Sequence, residues 1–373
     1  MSRIALGLIF STALSTPLFA APIQTVFVVM MENHNLTQPN PTASPEQILG
    51  NPAAPYINSL MTPGNPNALY TSYATQMLNP FDYGSYVHPS EPNYIYENSG
   101  SSFDVRTDAD PSSAAGNIIS ATPGLTGLLS HKGISWNSYQ EDVQFSPTGG
   151  TTSASGTSSS YTNPFNGSDQ YNYAVKHNPA AFFTSTINDP RSYQTFTQLQ
   201  TDLADNTYGQ FNYITPDQYN DMHSSLSGGF TYNGVHYTGD QAAIAEGDNF
   251  LSMMIPELEN TQAFQNGTGL IDIWFDESEI SNGPDYPIPE VLISKDAVGN
   301  AFDVNDETLT HAADLATFER LFGLSCTYAA CSSLTLAALL KPGSIPTPEP
   351  ASLALLSVGV LGLGLARRRR SVA

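Results

Sequence analysis

Two internal apolar runs set the pattern of the chain, and each ends abruptly in acids and amides. Thr25 to Met31 (TVFVVMM) is almost continuously apolar and rich in β-branched residues. That is the pattern of a strand covered on both faces of a parallel sheet. Leu270 to Phe275 (LIDIWF) repeats it, interrupted by Asp272. Glu32 and Asn33 follow the first run directly, and Asp276 and Glu277 follow the second. In open α/β sheets ligands collect beyond the carboxyl ends of the strands, so the two polar pairs are expected to meet at one site.

Helical periodicity is sparser. Asp248 is expected to cap a helix that buries Leu251, Met254, Ile255 and Leu258, with Pro256 kinking or restarting it. From Ala312 to Phe322 the spacing places Leu315, Phe318 and Phe322 on one face, and Gly323 ends the helix. Residues 146–162 are Ser, Thr and Gly with almost no apolar content and read as a flexible loop. No internal repeat is visible.

Both ends stand apart from this pattern. Arg3 precedes an apolar run from Ile4 to Ala20 that exits through Ala20-Ala21-Pro22, so residues 1–21 read as a secretory signal peptide. At the other end Pro348-Glu349-Pro350 precedes the apolar stretch Ala351 to Ala366 and then Arg367 to Arg370. A stretch of roughly 16 residues is short for a membrane span, and the arginines would hold its end on the cytoplasmic side. Physics alone does not separate a tail anchor from a processing signal. The three-part order, however, resembles the PEP-CTERM sorting signal of Gram-negative bacteria. That resemblance implies export to the envelope or beyond, cleavage of residues 346–373 by an exosortase-type partner, and membrane contact only through segment 351–366 before processing. Residues 22–343 then form one large domain.

Composition sharpens this. The chain carries 34 acids against 12 bases, a net charge of −22. Five of those bases but only one acid, Glu349, lie in the terminal segments, so the domain between them is more acidic still. Duplex nucleic acid is excluded as a partner, because binding it needs a basic footprint. Small phosphate esters are favoured over polyanions, which the surface repels except where a bound cation inverts the local field. Cys326 and Cys331 read as a local disulfide in an exported protein. A metal-binding pair is the weaker alternative, since no second Cys or His pair lies nearby.

Five of the seven histidines, His34, His88, His177, His223 and His311, fall in polar segments. A lone histidine in such a place is usually structural, but five beside two acidic strand ends point to a site. The blocks Met31-Glu32-Asn33-His34, His88-Pro89-Ser90-Glu91-Pro92-Asn93-Tyr94, Lys176-His177-Asn178-Pro179, Ile214-Thr215-Pro216 with Asn220-Asp221-Met222-His223, and Trp274-Phe275-Asp276-Glu277-Ser278 occur in this order. This ordered set resembles the phosphoesterase family of bacterial phospholipases C and acid phosphatases, over roughly residues 24 to 331.

The resemblance implies an α/β fold of the alkaline-phosphatase type, a three-layer α/β/α sandwich with a mostly parallel central sheet. It implies a divalent metal held by Glu32, Asn33, Asp276 and Glu277 together with Ser90, and Ser90 as nucleophile. Asn93, His177 and His223 correspond to residues that contact the phosphoryl group, and His88 and Asp221 lie within matching motifs. Where some relatives have a second histidine, this chain has Lys176. The chemistry agrees: a serine hydroxyl needs activation, oxygen donors suit a hard cation, and a histidine opposite the metal can protonate the leaving alcohol. The short HPSEPNY block favours an acid-phosphatase-type phosphomonoesterase acting through a phosphoseryl intermediate. A phospholipase C-type phosphodiesterase is the alternative of the same class, and a non-catalytic surface or matrix protein that kept the fold is the alternative of another.

Overall fold

The computed structural model describes residues 22–37, 47–61, 71–72, 88–113, 117–279, 288–297 and 309–345. The signal-peptide and sorting-tail segments lie outside the described residues. The strands are β1 (Thr25–Met31), β2 (Thr71–Ser72), β3 (Trp136–Gln140), β4 (Ala154–Thr157), β5 (Gln170–Tyr173), β6 (Gln194–Thr195), β7 (Phe211–Thr215), β8 (Phe230–Tyr232), β9 (Val235–Tyr237), β10 (Gly269–Phe275) and β11 (Glu290–Ile293). The helices are α1 (Pro55–Met61), α2 (Ser90–Glu97), α3 (Gly124–Lys132), α4 (Phe196–Asp205), α5 (Asp240–Glu259), α6 (Gln262–Gln265) and α7 (His311–Leu321).

One seven-stranded sheet has the order β2-β11-β10-β1-β7-β3-β6. β10, β1, β7, β3 and β6 run parallel, and β11 and β2 extend the sheet antiparallel at one edge. The two apolar runs read from the sequence are the adjacent central strands β1 and β10, and every residue of both is buried. Strand alternation assigns the layers. Trp274 packs against Tyr94 of α2 and His311 of α7. Met31 is registered with Phe275, one residue on, and lies against Gly247 of α5. Neighbouring residues of a strand face opposite sides, so α2 and α7 cover one face and α5 covers the other. The architecture is the expected three-layer α/β/α sandwich.

α5 corrects one expectation. It is a single helix that begins at Asp240, eight residues before Asp248, and runs on through Pro256. Asp248 lies within it and caps a different helix: its two carboxylate oxygens each accept a main-chain N–H, from Tyr56 and Ile57 at 2.8 Å, at the start of α1. The first half of α5 (DQAAIAEG) offers almost no large apolar residue to carry a periodic signal. It packs closely instead, and a Cβ on Gly247 would sit 2.2 Å from Met222.

The Ser/Thr/Gly-rich segment 146–162 also differs from a plain loop, since β4 within it pairs antiparallel with β5. Its side chains alternate between half-buried and exposed, so the hairpin needs no apolar pattern. α7 matches its expected span, with Leu315 and Phe318 buried beneath it. Gly323, at φ +59°, lets the Leu324 N–H return to the Glu319 carbonyl at 2.7 Å, a common helix ending. Cys326 and Cys331 are disulfide-bonded.

Candidate active site

The parallel strands β10, β1 and β7 deliver the candidate residues to one edge of the sheet. Glu32 and Asn33 leave β1, Asp276 and Glu277 leave β10, and the turn after β7 brings Asp221 and His223. The three crossings are stitched by main-chain bonds: Glu32 N–H donates to the Asp221 carbonyl at 2.8 Å and Asp276 N–H to that of Met31 at 3.2 Å. Asn33 adopts φ +51°, a left-handed conformation that asparagine tolerates. There its N–H reaches Asp276 Oδ1 at 3.0 Å.

Ser90 opens α2 and is 3 % exposed. Its hydroxyl donates to Glu32 Oε2 at 3.1 Å and to Glu277 Oε1 at 3.2 Å. Asn93, one turn along the same helix, donates from Nδ2 to Glu277 Oε2 at 2.8 Å. His88 Nδ1 lies 2.6 Å from Glu277 Oε1. Glu32, Asp276 and Glu277 present carboxylate oxygens within 4.8 Å of one another. Burial first, then the mutual repulsion of these acids, pushes the carboxyls of Glu32 and Glu277 well above the usual range. Burial raises Asp276 as well.

His177 and His223 form the opposite wall. His177 Nδ1 meets Asp221 Oδ2 at 3.1 Å, and its ring stacks on Tyr94. Its Nε2 lies 3.1 Å from Glu32 Oε1, yet neither atom has a hydrogen-bond partner among the described residues. Both point towards the same small space. Burial, reinforced by Lys176 and His223, holds His177 well below the ordinary imidazole value. Burial and Lys176 likewise push His223 down to about 3. Lys176 Nζ bridges His223 Nε2 and Asp108 Oδ2, each at 3.3 Å. Burial lowers the ammonium's pKa, but Glu32 and Asp108 outweigh that and hold it above its ordinary value.

The structure therefore brings Glu32, Asn33, Ser90, Asn93, His88, Asp276, Glu277, His177 and His223 together. Asp221 sits behind His177 and orients it, its other oxygen accepting the His223 N–H at 2.8 Å. His34 turns away, its ring nitrogens on the Glu32 carbonyl and Asp240. His311 supports the site from beneath, with Nε2 2.7 Å from the Asp276 carbonyl.

Sequence reasoning gave no role to two supports. Asp108 joins α2 to Lys176, accepting the Glu91 N–H at 3.1 Å, and a single acid in an irregular segment gives no signal. Glu141 accepts bonds from Asn163, Asn220 and the Asp217 N–H, fixing the turn that carries Asp221. Its position just past β3 was the available clue. A cavity of about 410 Å³ lined by residues such as Tyr161, Phe165 and Met253 contains none of the candidate residues.

The phosphoesterase family profile matches residues 69–325, and the PEP-CTERM protein-sorting motif matches residues 346–370. A phosphate-repressible acid phosphatase of Penicillium chrysogenum is 28% identical over 252 residues, covering 65% of this chain and 51% of that protein. A phosphatidylinositol-3-phosphatase of Mycobacterium tuberculosis is 26% identical over 284 residues, covering 74% of this chain and 72% of that protein. The match thus spans about half the length of the acid phosphatase. Among solved structures, an alkaline phosphatase superfamily protein from Vibrio parahaemolyticus superposes with a TM-score of 0.44 at 11% identity, covering 85% of this chain and 72% of that one.

Proposed function

The chain belongs to the phosphoesterase family, and from that premise we propose that it is an exported, metal-assisted phosphomonoesterase of the acid-phosphatase type, with Ser90 as nucleophile. The observation that carries this reading is the position of the Ser90 hydroxyl between Glu32 and Glu277, with the buried His177 and the half-buried His223 within 4.8 Å of Glu32 and of each other.

The donor set fits a hard divalent cation. Glu32 Oε1, Asn33 Oδ1 and Asp276 Oδ2 are buried without hydrogen-bond partners among the described residues, and oxygen ligands of this kind suit Mg²⁺, Mn²⁺ or Ca²⁺. Glu32, Asn33, Asp276, Glu277 and Ser90 would hold it. When bound, such an ion neutralises charge on phosphoryl oxygens and lowers the pKa of an adjacent hydroxyl.

The residues then divide the work. Ser90 Oγ attacks phosphorus, and its proton passes to Glu32 or Glu277, which already accept from it. The bond from phosphorus to the alcohol oxygen breaks as His177 or His223 supplies the alcohol's proton. Burial disfavours the charged form of both imidazoles in the free protein. A phosphate ester set against them favours their protonated form, so that proton arrives with the substrate. Asp221 holds the His177 ring and stabilises its charge. Asn93 and Lys176 donate to phosphoryl oxygens. Water then attacks phosphorus and gives a proton to the imidazole that lost one, and the bond from phosphorus to Ser90 Oγ breaks as the carboxyl returns its proton to Oγ, releasing phosphate.

The relatives' names, an acid phosphatase and a phosphatidylinositol-3-phosphatase, both describe phosphate monoesters and support that substrate class. Purified, metal-replete protein offered a soluble phosphomonoester, a phosphodiester and phosphatidylcholine is expected to turn over the monoester by far the fastest. Preference for phosphatidylcholine would move the chain to the phospholipase reading, and no turnover of any ester to the non-catalytic one.

The matched sorting motif supports export and envelope association through an exosortase-type partner. Mass spectrometry of the exported protein is expected to find a chain lacking Arg367 to Arg370. A mature chain that keeps them would refute tail removal.

A further inference from the structure

On the face of the sheet covered by α2 and α7, a second set of acids is enclosed. Glu290 of β11 is registered opposite Trp274 of β10. Alternation therefore puts Glu290, Trp274 and Asp272 on one face. Glu97 ends α2, and His311 and Asp314 lie three residues apart on α7, on the same side of the helix. Glu97, Asp272, Glu290, His311 and Asp314 are all 0% exposed. Ligand atoms of Asp272, Glu290 and Asp314 lie within 4.8 Å of one another, and so do those of Glu97, His311 and Asp314.

An independent feature points to an occupant. His311 uses Nε2 on the Asp276 carbonyl, and because a carbonyl only accepts, that nitrogen carries the proton. Its buried Nδ1 then presents a lone pair, and it has no hydrogen-bond partner among the described residues. A ring nitrogen of His311 lies within 4.8 Å of carboxylate oxygens of Glu97 and Asp314. Lone pairs and anions repel unless an electrophile lies between them. Both oxygens of Asp272, Glu290 and Asp314 are likewise without a hydrogen-bond partner among the described residues.

No basic side chain among the described residues answers them. Arg106, Lys176 and Arg191 pair with Asp104, Asp108 and Asp189. Lys132, Lys295 and Lys341 donate to main-chain carbonyls, and Arg320 is exposed. The remaining bases of the chain are Arg3 and the four terminal arginines. Burial and mutual repulsion push the carboxyls of Glu97, Glu290 and Asp314 well upward. Leaving four such groups enclosed without a counter-charge is costly.

We propose that this box is a second cation centre: a buried divalent ion of the Mg²⁺, Mn²⁺ or Ca²⁺ class held by Asp272, Glu290 and Asp314, with Glu97 and His311 closing it on the helical side. Its place in the fold gives it a positioning role. Glu97 is the last residue of the helix that Ser90 begins, Asp272 lies on the strand that Asp276 directly follows, and His311 holds the Asp276 carbonyl. The ion fastens α2, α7, β10 and β11 together directly behind the residues proposed for catalysis. Because every ligand is enclosed, the ion is taken up as the chain folds and is released only when it opens.

The test is metal retention, which is independent of turnover. Full-length protein produced with Mn²⁺ in the medium is treated with EDTA while folded, desalted and analysed for metal before and after unfolding in guanidinium. About one equivalent per chain is expected to survive EDTA and to be released on unfolding. Asp276→Asn protein should keep that equivalent. Glu290→Gln and Asp314→Asn proteins should lack it and melt at a lower temperature. Wild-type protein that keeps no EDTA-resistant metal would overturn the proposal and leave the carboxyls as acids sharing protons. Equal retention in wild type and in both box variants would overturn it too. Should the box variants fail to fold, the wild-type and Asp276→Asn measurements decide: an EDTA-resistant equivalent kept in both supports the box, and its loss in Asp276→Asn protein would overturn the proposal.

Discussion

Ser90→Ala protein is expected to fold normally and to lose turnover by roughly 10³-fold or more, the scale seen when a nucleophile is removed. Ser90 is a small side chain at the first position of α2, and its hydroxyl meets Glu32 and Glu277 rather than the apolar core. Removing it therefore costs little packing. It abolishes the route through a phosphoseryl intermediate, and the two carboxylates it separates are left facing the substrate without it. The check is paired: kcat on a phosphomonoester and the thermal midpoint of the same preparation. A variant that folds and turns over within a few fold of wild type would remove Ser90 from the mechanism.

The second large effect concerns the cation. Asp276→Asn and Glu32→Gln are expected to lower metal content and activity together. The loss of affinity should exceed the roughly 10–100-fold typical of losing an outer-shell partner, because these carboxylates are themselves the proposed ligands. Asp276 Oδ1 also accepts the Asn33 N–H at 3.0 Å, so the amide replacement preserves shape and removes charge. Protons and cation compete for the same lone pairs, so occupancy should fall as the pH is lowered. Chelation should reproduce the loss of activity, and added Mn²⁺ should restore it. Full activity in protein shown by elemental analysis to be metal-free would contradict the assignment.

How much of this was legible in the chain depends on how local each signal is. β1 and β10 were readable because a buried parallel strand is apolar on both faces, and because the polar pairs begin at the residue where each strand stops. α7 was readable because its apolar face and Gly323 are contiguous. The start of α5 was hidden, since small residues packed against Met31 and Met222 carry no periodicity. The β4–β5 hairpin was hidden because its pairing is between main chains and its side chains are polar.

Within the candidate site, each residue identified belonged to a short block of neighbours. Asp108 did not and escaped notice, and Glu141, in the block Tyr139 to Asp142 that also fits the family, was given no role. The acidic box was the least visible feature, because Glu97, Asp272, Glu290 and Asp314 come one each from four elements. Asp272, a lone acid inside an apolar strand, was its single trace in the sequence. A carboxylate is costly to bury there unless the fold supplies something to meet it.

The central claim is that phosphorus passes through Ser90. Metal-replete protein mixed with an excess of a fast phosphomonoester, quenched in acid within the first turnovers and digested, tests it directly. The account predicts that the peptide containing Ser90 gains the mass of one phosphoryl group, that fragmentation places it on Ser90, and that Ser90→Ala protein shows no such gain. Turnover at the wild-type rate with no phosphorylated peptide at any quench time, or phosphorylation at a residue other than Ser90, would contradict it.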